Sequence, residues 1–348
     1  MRASIRFMHL VFVCFAGLIL GLAPPAFSAT AAPLLKEPAL QENFYGVQIL
    51  ESQVWVVGYY GTILHSKDRG LTWEIRPSPV RNALFRVRFS SPQKGWIAGS
   101  YGTLLHTTDS GKSWNVQPSG TTEQLFGLTF ADEQMGWTVG SRGTLLHTQD
   151  GGLSWNNQSI PEDLTFNDVA FVGGSRGWIV GEFGVIFHTS NGGKSWVKQK
   201  SPVEVSFASG ESRNLFAVLF AEPEKGWAFG LDGVILKTRR GSVWEVVRQK
   251  EKTDNSVGAN HLFAAAAFNG RLWAVGERGT FLQSDLEGKS WRETKVETPR
   301  VSLNGIAFGR DGLGFIVGNR GVLLRTEDGG LTWKRHRITR QRGTKPAS

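Results

Sequence analysis

Hydrophobic and polar positions follow one repeating pattern over residues 44–333. Each copy of the pattern holds four short apolar runs, and glycine, serine, aspartate or asparagine residues separate the runs. In the second copy the runs are Leu84–Phe89, 96–99, 103–107 and 113–116. Short β-prone runs between turn residues predict β-strands, and helical periodicity is absent from the repeats. We therefore expect an all-β chain.

Two glycines recur in every copy, three residues apart, at intervals of 41, 41, 41, 49, 46 and 42 residues. A period of about 40 residues with four strands per unit is typical of β-propeller blades. The repeats predict one seven-bladed β-propeller with four-stranded blades, although 348 residues would usually suggest several domains. The glycine pairs are Gly58 and Gly61, Gly99 and Gly102, Gly140 and Gly143, Gly181 and Gly184, Gly230 and Gly233, Gly276 and Gly279, and Gly318 and Gly321.

All thirteen tryptophans belong to the repeat, which indicates a packing role for them. An aromatic platform for a ligand would instead use a few irregularly placed residues. One set precedes the first glycine by three residues: Trp55, Trp96, Trp137, Trp178, Trp227 and Trp273, with Phe315 in the seventh copy. The other set closes each copy: Trp73, Trp114, Trp155, Trp196, Trp244, Trp291 and Trp333.

A second motif, Ser/Thr-x-Asp-x-Gly-x-Ser/Thr-Trp, lies between the third and fourth predicted strands. It is the Asp-box, or bacterial neuraminidase repeat, in which the aspartate bonds N–H groups of its own turn and the tryptophan packs the hairpin on the blade. The sixth copy has Leu286 in the aspartate position, and the fifth copy is one residue short. We assign the motif a structural role and expect no catalytic residue in it. The residues in the aspartate position are Asp68, Asp109, Asp150, Asn191 and Asp328.

The longer unit G-W-x-V-G-x-x-G-T-L-L-H-T-x-D-G-G-x-S-W resembles the photosystem II assembly and stability factor family. This family comprises the plant high-chlorophyll-fluorescence assembly factor and its cyanobacterial relatives, with homologues in other bacteria, and we expect a bacterial homologue. The resemblance covers about residues 44–333 and implies a propeller on the lumenal or periplasmic side of a membrane. It further implies a non-catalytic scaffold, without a cofactor, that binds subunits of a photosystem II-type core or another membrane assembly.

Asp-boxes also occur in glycosidases, so the alternative is a secreted sialidase-like glycoside hydrolase or a carbohydrate-binding propeller. A sialidase needs a tyrosine nucleophile and an Arg-Ile-Pro motif, but the motif is missing and all four tyrosines lie in the first two copies. A pair of catalytic carboxylates leaves no sequence pattern, so a glycosidase of that kind stays open. Acidic residues at predicted turn tips are Glu182, Asp232 and Glu277, each on a different blade.

The turns between the second and third strands form the candidate partner-binding surface. Their residues vary between copies while the flanking glycines do not, and aromatic residues with arginine are the usual composition of interfaces. These turns should share a face with the connections between blades, two of which are long, at 198–214 and 248–261. Solvated turn tips without a partner are the competing interpretation. The candidates are Tyr59, Tyr60, Tyr101, Arg142, Phe183, Arg278 and Arg320.

Four histidines occupy one repeat position, which raises the question of a metal site. In the last three copies the same position holds Lys237, Gln283 and Arg325. Each histidine belongs to a different blade, so four of them cannot converge on one ion. We therefore expect a polar strand position and no metal at His65, His106, His147 and His188.

The chain begins with a basic segment, an apolar run over residues 7–22 and a small-residue zone, the pattern of a cleavable Sec-type signal peptide. We expect a signal peptide at 1–29, a lead-in at 30–43, the propeller at 44–339 and a basic tail at 340–348. An uncleaved membrane anchor is the competing interpretation. Export would place the protein in the periplasm, or in the thylakoid lumen of a photosynthetic host.

The net charge of +9 belongs to the ends of the chain. Eight of the 39 basic residues lie before residue 30 or after residue 333, so the repeats hold 31 basic and 30 acidic residues. Near-neutral repeats and export argue against a nucleic-acid partner. The basic tail would suit contact with anionic lipid headgroups or an acidic partner, and a disordered, solubilising tail is the competing interpretation. The single cysteine, Cys14, excludes a disulfide framework. We expect a monomer.

Overall fold

The computed structural model describes residues 40–209, 211, 213–248 and 260–338. In these ranges twenty-eight strands form seven antiparallel sheets of four strands each. The strands of each sheet follow chain order, so every blade is one continuous stretch of chain. The predicted all-β, seven-bladed propeller with four-stranded blades is confirmed.

The strands are numbered along the chain, four to a blade. Blades 1 and 2 comprise β1 (Phe44–Leu50), β2 (Gln53–Gly58), β3 (Ile63–Ser66), β4 (Glu74–Ile75), β5 (Leu84–Phe89), β6 (Gly95–Gly99), β7 (Leu104–Thr107) and β8 (Asn115–Gln117). Blades 3 and 4 comprise β9 (Leu125–Phe130), β10 (Gly136–Gly140), β11 (Leu145–Thr148), β12 (Asn156–Asn157), β13 (Phe166–Val172), β14 (Arg176–Gly181), β15 (Ile186–Thr189) and β16 (Val197–Gln199). Blades 5 to 7 comprise β17 (Leu215–Glu222), β18 (Lys225–Gly230), β19 (Ile235–Arg239), β20 (Val243–Arg248), β21 (Leu262–Phe268), β22 (Arg271–Gly276), β23 (Phe281–Asp285), β24 (Arg292–Glu293), β25 (Leu303–Phe308), β26 (Gly314–Gly318), β27 (Leu323–Thr326) and β28 (Lys334–His336).

The place of a strand in its blade decides how far it is buried. Strand β6 is buried at every residue, because side chains of the flanking blades cover both faces of the sheet at this depth. The outermost strand of the same blade, β8, is largely exposed. A strand buried on both faces needs apolar residues at successive positions, which is why the second runs of the repeat lack polar alternation.

Neighbouring blades are joined through the second-strand tryptophan. The indole ring of Trp96 in blade 2 stacks on Phe130 of blade 3, with 4.1 Å between ring centroids. Gly152, in the third-to-fourth turn of blade 3, lies directly against the same indole. A Cβ atom at this glycine would lie 2.0 Å from Trp96 Nε1. The glycine of each turn therefore lets one blade rest on the tryptophan of the blade before it.

Blade 7 closes on blade 1 through the same kind of contact. Phe315 takes the place of the tryptophan, and its ring lies 5.8 Å from that of Trp73 at a nearly perpendicular angle. Asn304 Nδ2 donates to Phe44 O at 2.8 Å, which links the two innermost strands. The segment before β1 completes the contact, because Leu40 N donates to Ile338 O at 2.9 Å.

Several predicted regions lie outside the described residues. They are the signal peptide at 1–29, residues 30–39 of the lead-in, the tail at 340–348 and residues 249–259 of the second long connection. Within the part of the chain that the structure describes, no helix is long and apolar enough to cross a membrane.

Candidate binding face

The two faces of the ring carry different turns. On one face, Gly61 N in the second-to-third turn of blade 1 donates to Asn82 O in the connection to blade 2, at 2.9 Å. On the opposite face, Arg69 N in the third-to-fourth turn donates to Ser52 O in the first-to-second turn, at 2.8 Å. We call the first the turn face and the second the box face.

All seven tips of the second-to-third turns have the left-handed backbone conformation at a residue other than glycine. The φ angles at these tips lie between 52° and 56°. This conformation is unfavourable for residues with a Cβ atom, by about 1 kcal/mol each. The seven residues are Tyr60, Tyr101, Arg142, Phe183, Asp232, Arg278 and Arg320.

The candidate tyrosines form an exposed aromatic group on blades 1 and 2. The rings of Tyr59 and Tyr60 lie 6.1 Å apart and both are more than half exposed. Arg81, in the connection between the two blades, donates from Nη1 to Tyr60 Oη at 3.1 Å and lies over its ring. Tyr101 at the tip of blade 2 is 70% exposed. This group offers both flat apolar surface and a guanidinium.

The candidate arginines lie one to a blade, on blades 3, 6 and 7. Arg142 is 75% exposed at its side chain, and its Nε lies 3.8 Å from Glu123 Oε1. Arg278 Nε lies 3.9 Å from Glu277 Oε1. Arg320 is also exposed. The three share the turn face but do not form one cluster, because each belongs to its own blade around the ring.

The long connection after blade 4 packs on the remaining candidate. Val205 N donates to Phe183 O at 3.0 Å, and Phe183 is partly buried. Lys198 Nζ and Glu204 Oε1 form an ion pair at 2.8 Å that fixes the start of this connection. The connection therefore belongs to the turn face, as the sequence suggested.

A cluster of one histidine and two acidic residues on the turn face was not predicted from the sequence. His261, in the connection before blade 6, accepts a hydrogen bond at Nδ1 from Asp232 N at 3.1 Å. Its Nε2 lies 3.8 Å from Glu277 Oε2. The histidine sits outside the repeat pattern, so no periodic signal could have pointed to it.

Partly buried aromatic side chains surround the central channel near the turn face. They occupy the second position of five innermost strands, where the sequence reads Leu-Phe or Phe-Tyr. The ring of Phe85 lies 5.7 Å from that of Tyr45 and 5.1 Å from that of Phe126. On the other side of the channel, the rings of Phe216 and Phe263 lie 5.4 Å apart. We call these five residues the aromatic mouth.

Three charged side chains lie below the aromatic mouth. Arg86 and Arg88 of β5 and Asp168 of β13 line a cavity of about 60 Å³ between the innermost strands. Burial lowers the pKa of Arg88 to about 10, and the neighbouring charge of Arg86 adds to this. Burial raises the pKa of Asp168, although Val218 N donates to its Oδ2 at 3.1 Å. No periodic signal predicted these charges, because Arg86 and Asp168 occupy one repeat position that is glycine or alanine in the other five copies, and no other copy has a charge at the position of Arg88.

The aspartates on the box face bond within their own turns. Asp68 Oδ1 accepts from Thr72 N at 2.8 Å, and Asp68 Oδ2 accepts from Thr72 Oγ1 at 2.6 Å. These bonds lower the pKa of Asp68 to about 2. Ser113 and Ser154 do the same for Asp109 and Asp150, whose pKa values are also lowered to about 2. Both carboxylate oxygens are therefore engaged within the turn.

The irregular copies keep the turn by other means. Asn191 Oδ1 accepts from Ser195 N at 3.1 Å, and its Nδ2 donates to Ser195 Oγ at 2.9 Å. In the sixth copy Asp285, one residue before the expected position, accepts from Gly288 N at 3.0 Å. The last copy is regular, and in it hydrogen bonds from Thr326 and Thr332 outweigh the opposing effect of burial and lower the pKa of Asp328 to about 2.

Each of the four third-strand histidines packs against the second-strand tryptophan of its own blade, and three of the four ring pairs are stacked. The rings of His65 and Trp55 are nearly parallel, with centroids 3.7 Å apart. Burial, with the charges of Arg76 and Lys67, lowers the pKa of His65 to about 4. Among the described residues no group of three or more histidine, cysteine or acidic side chains could hold a metal ion.

Comparisons with known proteins match the chain to a family of assembly factors. A family model described as "Photosynthesis system II assembly factor YCF48" matches residues 39–120, 116–204, 240–327 and 289–345. The solved structure "YCF48 bound to D1 peptide" has a TM-score of 0.66 at 21% identity, covering 84% of this chain and 95% of that chain. YCF48 from Cyanidioschyzon merolae has a TM-score of 0.63 at 21% identity, covering 84% of this chain and 97% of its own.

More distant propellers match as well. An ancestral GH74 enzyme has a TM-score of 0.67 at 13% identity, covering 87% of this chain and 48% of that chain. At such identity the likeness shows the fold alone. No curated protein sequence matches the chain significantly.

Proposed function

The chain belongs to the photosystem II assembly factor YCF48 family, and from this premise we propose that it is a non-catalytic scaffold that binds subunits of a membrane protein complex during assembly. One of the similar solved structures is of a YCF48 protein bound to a D1 peptide. By analogy, the partner of this chain is a segment of a photosystem II-type subunit or of another membrane protein.

The turn face supports this proposal through one observation. Seven tips hold residues other than glycine in a backbone conformation that favours glycine. At six of the seven tips that residue is aromatic or basic, and at the seventh it is Asp232 beside His261. Exposed tyrosine and arginine are the residues that carry most of the energy of protein interfaces. We infer that the tips keep these side chains because they contact a partner.

A non-catalytic role agrees with the chemistry of the acidic residues. The box-face aspartates use both oxygens within their turns. Glu182 accepts at Oε2 from Thr165 N at 2.7 Å, and Asp232 and Glu277 both approach His261. No specific observation favours the glycoside hydrolase alternative, since the GH74 likeness is one of fold.

We further propose that the protein is exported and acts as a monomer in the periplasm, or in the thylakoid lumen if its host is photosynthetic. The proposal rests on the signal-peptide pattern at 1–29 and on the near-neutral repeats. The basic tail at 340–348 would add peripheral contact with anionic headgroups.

A pull-down from detergent-solubilised membranes tests the binding face. Reversing the charge of three turn-face residues, with Arg142→Glu, Arg278→Glu and Arg320→Glu in one variant, should reduce recovery of the partner about tenfold or more. The matched control reverses three exposed box-face lysines, with Lys112→Glu, Lys194→Glu and Lys289→Glu, and should leave recovery unchanged. Equal recovery with both variants, at equal melting temperatures, would refute the turn face as the binding surface.

A further inference from the structure

The third position of the seven innermost strands forms a ring around the channel. Five of the seven residues are small: Gly46, Gly127, Ala217, Ala264 and Gly305. The other two are Arg86 and Asp168. Arg86 and Asp168 are the two charged members of the ring, and both line the same cavity. The cavity of about 60 Å³ lies at this level.

The charges in the cavity do not balance. Arg86 and Arg88 bring two positive charges, and Asp168 brings one negative charge. Among the described residues, no carboxylate oxygen lies within 4.0 Å of either guanidinium. Arg88 Nη1 donates to the neighbouring carbonyl Val87 O at 2.9 Å, which leaves most of its five donors to solvent or a ligand. Half-buried arginines without an acidic partner at contact distance are unfavourable unless an anion joins them.

We propose that the channel binds a carboxylate group between Arg86 and Arg88, with the apolar remainder of the ligand held by the aromatic mouth. A guanidinium presents a planar fork of donors that matches the two oxygens of a carboxylate. The cavity of about 60 Å³ has room for a carboxylate group, since a single water needs only about 10–15 Å³ by the same measure.

The aromatic mouth determines what is attached to the carboxylate. Tyr45, which also lines the cavity, joins it to the rings of Phe85 and Phe126. The innermost strands start at the turn face, so these rings lie between the cavity and solvent on that side. A ligand must then carry its carboxylate at one end and apolar groups next to it. Both a small aromatic acid and the free C-terminus of an apolar peptide meet this requirement.

Asp168 gives the site a feature that a simple basic patch lacks. Its carboxylate competes with the ligand for the positive charge of Arg86 and Arg88, whose Coulombic attraction it already receives. Asp168→Asn removes the competing charge, and its side-chain oxygen can still accept from Val218 N. The proposal therefore expects this variant to bind carboxylates more tightly, by about threefold.

Isothermal titration calorimetry of the full chain tests the proposal with paired probes. N-acetylphenylalanine and an apolar tetrapeptide with a free C-terminus should bind, and their amidated forms should bind about tenfold more weakly or not at all. Arg88→Met and Arg86→Met should each weaken the free acids about tenfold without changing the weak binding of the amides. Equal affinity for acid and amide, or no binding of any probe, would overturn the proposal.

Two further measurements distinguish a folding defect from a loss of binding and identify the source of the ligand. If a methionine variant fails to melt cooperatively, Arg88→Lys and the acid–amide comparison on the unaltered chain still decide the matter. The pull-down identifies the source of the carboxylate. Arg86→Met and Arg88→Met should abolish partner recovery if the partner supplies the carboxylate, and should leave it intact if the ligand is a free acid. Neither result depends on the arginines of the turn tips, so this site and the proposed function can fail separately.

Discussion

At the scale of single residues, one position of the third strands holds histidine in four blades and another polar residue in the other three. His65 is 1% exposed and stacks on Trp55, while its Nε2 lies 2.8 Å from Gln53 Oε1. In blade 6 the same position holds Gln283, which cannot titrate. In blade 1 a flat imidazole ring fills the position against the indole, and burial there favours its neutral form.

The lowered pKa of His65 predicts a loss of stability in mild acid. Its folded-state pKa is about 4, below the ordinary value of 6.5, so the unfolded chain binds more protons between these two values. Stability must then fall as the pH falls from 6.5 to 4. The contribution of His65 should be on the order of 1–3 kcal/mol, measured as the free energy of unfolding in urea at pH 7 and pH 4.

His65→Gln supplies the control for this prediction, because glutamine occupies the same position in blade 6. The variant should lose less stability than the unaltered chain between pH 7 and pH 4. The pKa values of the box-face aspartates near 2 put their contribution below this window. An identical pH dependence for the two proteins would contradict the assignment.

At the scale of elements, the glycine of the third-to-fourth turn controls the contact between blades. Gly152 has φ +76°, and a Cβ there would collide with Trp96. Gly120 has φ +70°, and nothing lies within 4 Å of the place where its Cβ would stand. The two positions share the backbone conformation and differ in the collision.

Gly152→Ala should therefore destabilise the protein more than Gly120→Ala. The difference should be about 2 kcal/mol, because the extra methyl group forces the turn or the indole to move. Both changes carry a similar backbone penalty. Thermal and urea unfolding of the two variants measure the difference directly, and equal losses would show that the turn does not rest on the tryptophan.

The elements also show which features a sequence can predict. Repeated features were predictable: the strands of blade 2 lie within a residue or two of the expected runs, and Asn191 bonds its turn as the sequence suggested. The sixth turn differs, because Asp285 bonds the turn from one residue earlier than expected. Asp285 accepts from the glycine N–H that in the regular turns donates to the Ser or Thr hydroxyl, such as Ser66 Oγ.

The unpredicted features are those in which the blades differ. Arg86 and Asp168 stand 82 residues apart in the sequence, and only the convergence of innermost strands brings them to one cavity. His261 meets Asp232 and Glu277 from three neighbouring segments. Sequence spacing cannot predict such contacts, because they depend on the geometry of the propeller ring rather than on the local sequence pattern.

At the scale of the whole molecule, the ring depends on one closure between its first and last blades. Leu40 is 6% exposed and packs in the same apolar cluster as Phe315 and Ile338. The backbone before β1 therefore accepts a hydrogen bond from the second-to-third turn of blade 7, as the connections between blades do for the turns of other blades. Gly321 N donates to Glu42 O at 2.8 Å, as Gly61 N donates to Asn82 O at 2.9 Å.

Leu40→Ala should weaken this closure. Removing a buried leucine side chain typically lowers the free energy of unfolding by about 2–5 kcal/mol. Leu153→Ala makes the same chemical change at a residue that is 66% exposed, and should have an effect within about 0.5 kcal/mol. If both variants melt alike, the lead-in residues do not contribute to closure.

The closure also orders events during synthesis. Asn43 Oδ1 accepts from Arg320 N across 277 residues of chain, and Phe44 O accepts from Asn304 Nδ2 across 260. Internal blades can pack on a neighbour as soon as that neighbour has emerged. The first blade instead keeps one apolar flank open until the final blade arrives. An emerging chain therefore exposes an apolar flank on its first blade until nearly the whole chain has been made, and that flank is a surface prone to aggregation before the ring closes.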